Sequence, residues 1–242
     1  MPQIKIIGES CIDVFVYCEA IRLAPDLPVP VLQEIHIEKN PGMAANVQRN
    51  IHSRLIKTEL ITNPNWESLI KTRYVHDSSN HMFFRVDTLF QIEQIKMDSL
   101  KLDTDIIVIS DYNKGFLSEN DIANICNSHP LVFLDTKKIL GSWADEAAFI
   151  KINNYEFKNS QKFLTDKLQN KIIHTRGAEG CDYQGINYPV EKIDVRDTSG
   201  AGDSFMAALV AEYLNTSDII ASIKSANVAA SKVVQTRGVG VI

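Results

Sequence analysis

DIIVISD (105–111), LVFLD (131–135), FIKI (149–152) and KIIHT (171–175) are four short, nearly continuous apolar runs, and each is separated from the next by a stretch that can hold a helix. A strand with one wet face alternates apolar and polar residues; a strand apolar on both faces needs cover on both. Strands of this second kind, alternating with helices, predict a mostly parallel sheet between helical layers. IKIIG (4–8) is the first strand of the chain, and two helices, roughly 201–214 and 218–235, close it.

Elsewhere the rhythm differs. A second apolar stretch covers 12–17, and Val29, Val31, Ile35 and Ile37 alternate with polar neighbours, as in a strand covered on one face. KTRYVH (71–76) and MFFRVD (82–87) flank the polar turn DSSN and predict a hairpin. After Pro41-Gly42, the residues Ala44, Val47, Ile51 and Leu55 recur at helical spacing. The reading is an α/β sandwich, one domain over 1–242, with a small β-flap from about 12–37 and 71–87. Ligands of open parallel sheets sit beyond the carboxyl ends of the strands, so the flap is a candidate lid.

The bulk composition is that of a globular protein: 242 residues, 45% hydrophobic and 23% charged. A net charge of −5 gives no reason to expect nucleic acid or an anionic membrane as partner. Cys11, Cys18, Cys126 and Cys181 form no CxxC pair, and the six histidines form no HExxH pattern. With no signal-like start and no long apolar run, the expected compartment is the cytoplasm, with thiols reduced. A catalytic metal, if used, is expected on oxygen ligands and phosphates.

The chemistry concentrates in DTSGAGDSF (197–205), directly before a helix in which Phe205, Leu209 and Tyr213 share a face. Gly200, Ala201 and Gly202 let backbone N–H groups approach an anion closely, at a helix tip where donors are unpaired and the macrodipole is positive. Asp203, in the first turn, is expected to stay ionised and to accept a hydroxyl proton while those amides hold developing charge. The plainer alternative is a helix cap.

This segment resembles the signature loop of the ribokinase-like carbohydrate kinases, in which DTxGAGD supplies the anion hole and the aspartate base. No GxxxxGK[ST] P-loop occurs. The resemblance implies a ribokinase-like three-layer sandwich, ATP over Gly200–Gly202, and Asp203 facing the acceptor. GESCID (8–13) is similar to the family's first sugar-binding strand end, making Asp13 a hydroxyl ligand or a simple turn former. PGMAANV (41–47) is similar to the family's Gly-Gly-x-x-Asn segment, with Gly42 permitting close approach, Asn46 contacting sugar, and Met43 in place of the second glycine. INNYEF (152–157) is similar to its NxxE motif, so Asn153 and Glu156 are expected to organise Mg²⁺, its waters and the phosphates.

TRGAEG (175–180) resembles the loop over the nucleotide phosphates, with Thr175 and Gly177 as contacts or as parts of a tight turn. Asn227, on the apolar face of the last helix, is an adenine contact or a buried structural amide. Asp197 and Gly238 stand where many relatives bind a monovalent cation such as K⁺.

One branch matches further. SDYNKG (110–115), the run from Gly8 through Pro28-Val29-Pro30-Val31 to Pro41-Gly42, and FFRVD (83–87) resemble the D-glycero-β-D-manno-heptose 7-phosphate kinases. That resemblance implies a sugar phosphate phosphorylated at its anomeric hydroxyl. Asp111, Lys114 and Arg85 then line the acceptor side, the two cations steadying the remote phosphate; otherwise Lys114 is solvated and Arg85 pairs with Asp87 or Glu93. Fructose, a nucleoside or another sugar is the alternative acceptor, and a non-catalytic nucleotide- or sugar-binding relative is the alternative of another class. The family often pairs through its flaps, which implies a homodimer through the lid. Two departures are expected. The chain ends at Ile242 without the nucleotidyltransferase module fused to some relatives, and the short 57–70 region loses a strand and a helix that the family normally has.

Overall fold

Strand β7 (Ile106–Asp111) shows why its sequence is apolar without interruption: Ile106 and Val108 enter one core while Ile107 and Ile109 enter another, all of them buried. The same division runs through β1 (Ile4–Gly8), β8 (Val132–Thr136), β9 (Phe149–Asn153) and β10 (Ile172–Thr175). The structure is a computed structural model describing residues 3–241.

These strands lie in one eight-stranded sheet of order β12-β11-β10-β9-β8-β7-β1-β4, where β4 is Thr58–Ile61, β11 Cys181–Tyr183 and β12 Ile186–Tyr188. From β4 to β10 the pairing is parallel; β11 and β12 add an antiparallel edge. One face carries α1 (Ala44–His52), α5 (Ala201–Thr216) and α6 (Ile219–Val233). The other packs against α2 (Glu119–Ser128) and α4 (Asp166–Gln169), with α3 (Asn154–Ser160) following β9. α5 is buried continuously from Asp203 to Ala211, as a helix apolar all round must be. Among the described residues no helix is long and apolar enough to cross a membrane.

The lid is a second sheet of order β3-β2-β5-β6, from β2 (Ser10–Leu23), β3 (Pro30–Met43), β5 (Ile70–His76) and β6 (Met82–Asp87). The expected hairpin is β5–β6, with Lys71 opposite Asp87 and Arg73 opposite Arg85. β2 and β3 run well past the expected 12–37, because the chain leaves β1 and enters the lid almost without a turn. The strand expected to be missing from 57–70 is present: β4 pairs with β1 at the sheet edge. What replaces the helix is a single 3₁₀ turn, Trp66–Ser68, next to buried Asn63, whose Oδ1 accepts from the Ser10 amide at 2.9 Å. Four residues, TELI, offer too little alternation to declare a strand.

Candidate active site

The glycines of the 197–205 loop are demanded by what closes on them. Gly200, the residue before α5, sits at φ 76°, and a Cβ there would meet Asn46 Nδ2 and Val239 Cγ1, each at 3.0 Å. A Cβ on Gly202 would lie 3.0 Å from the ammonium of Lys151. Asn46 from α1 and Lys151 from β9 therefore flank the helix tip. Asp197 holds the loop in shape: its Oδ1 accepts from the Ser199 amide at 2.8 Å and its Oδ2 from the Gly238 amide at 3.1 Å. Both oxygens thus clasp two backbone segments together.

Asp203 is 5% exposed. Its Oδ2 accepts from Asn46 Nδ2 at 2.9 Å and its Oδ1 from the Tyr112 hydroxyl at 2.7 Å. Asn46 is itself steadied by Asn50, whose Nδ2 donates to Asn46 Oδ1 at 3.2 Å. Burial pushes the Asp203 carboxyl up from the ordinary carboxylate value, and the bonds from Asn46 and Tyr112 pull the other way. The helix dipole alone suggested a carboxylate held firmly ionised; desolvation instead makes it more basic. Within SDYNKG nothing local distinguishes Tyr112 from its charged neighbours as the residue that reaches Asp203.

Tyr112, Asp203 and the Gly200–Gly202 tip line a cleft of about 990 Å³. Two lysines unassigned from the sequence also face it. Lys151 Nζ donates to Asp135 Oδ2 at 2.7 Å, and Lys137 bonds Glu156, with Asp135 Oδ1 3.8 Å away. Lys151 had a signal: a lysine inside the buried run FIKI must be paired or functional. Burial and two lysines compete over Asp135, and the lysines prevail, lowering its pKa.

Asn153 and Glu156 do come together, as a reciprocal cap on α3. Asn153 Oδ1 accepts from the Glu156 amide at 3.0 Å, and Glu156 Oε2 from the Asn153 amide at 2.8 Å. Among the described residues no three acidic, histidine or cysteine side chains form a metal cage. Asp135 Oδ1 is nevertheless buried without a hydrogen-bond partner on the cleft wall. That oxygen, 3.8 Å from the Lys137 ammonium, and Glu156, bonded by the same lysine, are donors of the kind that fit Mg²⁺, which takes few protein ligands and keeps waters and phosphates.

Thr175, Gly177 and Asn227 line the same cleft, together with Val190, Ile193, Val195, Ala230 and Val234 from the 190–195 and 230–234 segments. Gly177 sits at φ 58°, and the Thr175 hydroxyl donates to Ile152 O at 3.3 Å. Asn227 Nδ2 donates to Tyr188 O at 2.9 Å, and the residue borders the cleft.

On lid strand β2 Asp13 is ion-paired with Arg73, and a Cβ on Gly42 would press to 2.3 Å from Asp13 Oδ2. Gly42 is needed for that approach. Met43, where the resembling family has a glycine, holds φ 62°.

Two expected acceptor residues are placed otherwise. Asp111 is 1% exposed and bound by Lys138 Nζ at 2.9 Å and by the Thr136 hydroxyl, behind the loop rather than in the site. Arg85, on the edge strand of the lid, is exposed and forked onto Asp87 at 2.8 and 3.1 Å, because an (i, i+2) carboxylate on the same strand face lies nearer than any site group. Lys114 is exposed, with its ammonium 5.6 Å from the Phe90 ring centre. Glu9, fully buried, organises this loop by accepting from the amides of Tyr112 and Lys114, each at 2.8 Å.

Residues 134–241 match the family described as pfkB family carbohydrate kinase. The bifunctional protein HldE of Nitrobacter winogradskyi is 25% identical over an alignment covering 98% of this chain and 61% of that protein. Its Helicobacter pylori counterpart is 26% identical, with coverage of 98% and 64%. The chain thus spans about three-fifths of the length of these curated relatives. Among solved structures, a Methanocaldococcus jannaschii nucleoside kinase of the ribokinase family superposes with TM-score 0.71 at 16% identity, covering 98% of this chain and 93% of that one. Arabidopsis thaliana ribokinase, complexed with ribose and ATP, gives TM-score 0.71 at 14% identity, with coverage of 98% and 94%.

Proposed function

We propose that this chain, a ribokinase-like carbohydrate kinase of the pfkB family, transfers the γ-phosphoryl group of ATP to a hydroxyl of a sugar phosphate, a heptose 7-phosphate-like acceptor taking it at O1. The observation that carries this reading is the Asp203 carboxylate, buried at the tip of α5 and gripped by Asn46 and Tyr112 on the cleft floor. A carboxylate made more basic by burial is suited to take the hydroxyl proton as the acceptor oxygen attacks the γ-phosphorus. The bond to the bridging oxygen breaks and its electron pair leaves with ADP. The Gly200–Gly202 amides and the Lys151 ammonium face the charge carried by the transferred group.

When bound, Mg²⁺ would offset charge on the β- and γ-phosphates; Asp135 and Glu156 are the residues suited to hold it or its waters. The wall of Val190–Val195 and Ala230–Val234 suits the adenine. Asp13 and Asn46 suit acceptor hydroxyls. Ile37, Phe84 and Val86, exposed on the lid face away from Asp13, support a homodimer through the lid. The chain is read as acting in the cytoplasm, and all four cysteines are free and buried.

The test is ADP release by the purified protein from ATP with heptose 7-phosphates, hexose phosphates, free fructose and nucleosides. Turnover fastest with a heptose 7-phosphate is expected. Tight ATP binding with no ADP released by any acceptor would make the chain a binding protein and end the kinase reading.

A further inference from the structure

Lys71 stands on β5 of the lid and is only 9% exposed. Its ammonium lies 5.2 Å from the ring centre of Tyr112 and 5.4 Å from that of Phe90. Among the described residues no carboxylate or hydrogen-bond acceptor reaches it, although Asp13 is its neighbour across the β2–β5 pairing. The Asp13 charge is spent on Arg73, whose guanidinium in turn lies 5.1 Å from the Phe15 ring centre. Two aromatic faces return roughly 1–2 kcal/mol to an ammonium, only part of what a mostly buried lysine gives up in hydration. A cation enclosed this way, with no counter-charge beside it, suits an anion arriving from the open end of the lid.

The position says which anion. Tyr112, whose ring Lys71 overlies, bonds the Asp203 carboxylate through its hydroxyl. Lys71 comes from the lid, so it stands apart from the body lysines Lys137 and Lys151 of the nucleotide cleft. Lys114, on the same Phe90 ring, adds a second positive group at the solvent end.

We infer that Lys71, seconded by Lys114, binds a phosphate or other anionic group at the far end of the acceptor and thereby selects phosphorylated sugars over free ones. This deepens the kinase reading and rests on it. Lys71 here takes the role first expected of Arg85, which is committed to Asp87.

The experiment compares wild type with Lys71→Met and Lys71→Arg. Steady-state kinetics on a sugar phosphate should show the acceptor KM raised roughly 30- to 100-fold in Lys71→Met, the effect of removing a charge-assisted hydrogen bond, with kcat and the ATP KM little changed. Lys71→Arg should restore part of the affinity, and unphosphorylated sugars should not distinguish the variants. In parallel, inorganic phosphate is titrated calorimetrically into protein saturated with a non-hydrolysable ATP analogue, so that the nucleotide phosphates' own site is filled. Phosphate binding in wild type that is lost in Lys71→Met supports the anion site. Equal phosphate binding by the two, or a change confined to the ATP KM, overturns it whatever the kinase assay gives. Phosphate binding that depends on Lys71, with no turnover of any sugar phosphate, keeps the site and removes the kinase reading. If Lys71→Met lowers the folded yield, Lys71→Gln carries the same measurements.

Discussion

In and around the eight-stranded sheet each enclosed lysine meets a carboxylate: Lys151 meets Asp135, Lys138 meets Asp111, and Lys5 meets the more exposed Glu59 and Asp103. In the lid, Arg73 holds Asp13 and Arg85 pairs with Asp87 on an exposed edge, but Lys71 has only aromatic rings for company. The strands of the body have helices or loops against both faces, whereas one face of the lid looks toward the site and the other leaves Ile37, Phe84 and Val86 in solvent. For the transfer reaction proposed above, the contrast amounts to a division of labour. Groups that stabilise charge during transfer must be fixed in advance, because reorganising them would return the gain. Groups that read an acceptor can be left unsatisfied until it arrives.

The largest test of that division is Asp203→Asn. On the body side it should lower kcat about 10³-fold, within the range for loss of a general base, while ATP affinity stays within about threefold. It should also stabilise the fold, and the sign follows from burial. A carboxyl whose pKa is raised in the folded state contributes stability below the ordinary carboxylate range and loses it as pH rises through the raised value. At neutral pH the ionised form is a liability, which a neutral amide removes. The melting temperature of Asp203→Asn should exceed wild type most at pH 8, the gap narrowing toward pH 4. Unchanged turnover would make Asp203 a structural tie between Asn46 and Tyr112 and nothing more.

A smaller effect separates the packing of the two sheets. Phe133 is fully buried in the body, with Phe149 and Tyr213 at centroid distances of 5.0 and 5.3 Å. Phe133→Ala should cost about 3–5 kcal/mol in urea unfolding. Val86→Thr on the outer lid face should stay within about 0.5 kcal/mol in a monomer. A comparable loss from Val86→Thr would mean that face is covered, and sedimentation at several concentrations would then show the dimer.

The same contrast explains what the sequence could announce. Both-face burial writes itself into DIIVISD and FIKI, so the body strands were legible, and the coincidence of glycines, acid and helix start made Asp203 legible too. Three-residue β11 and four-residue β4 carry too few side chains for a period to register. Charged residues misled wherever pairing is decided in three dimensions. Asp111 and Arg85 looked like site residues, but Lys138 and Asp87 take them up. Lys71 and Tyr112 went unnoticed because nothing local tells which face of the lid looks inward, or that a loop tyrosine will reach across to α5.

Tyr112 is where the two regions meet, so its substitutions give the finest test. Its hydroxyl lowers the Asp203 pKa against the pull of burial, and its ring carries the Lys71 ammonium. Tyr112→Phe removes the first contact and keeps the second. The Asp203 pKa should then climb further, moving the acid limb of kcat/KM to higher pH, with a drop in kcat of roughly tenfold for the lost bond to a charged group. The acceptor KM should hold, because Lys71 keeps its aromatic seat. Tyr112→Ala removes both contacts and should raise that KM as well. An acid limb that does not move in Tyr112→Phe would reduce Tyr112 to packing, and an acceptor KM that rises equally in both variants would mean that base and lid are coupled through the hydroxyl instead of divided at the ring.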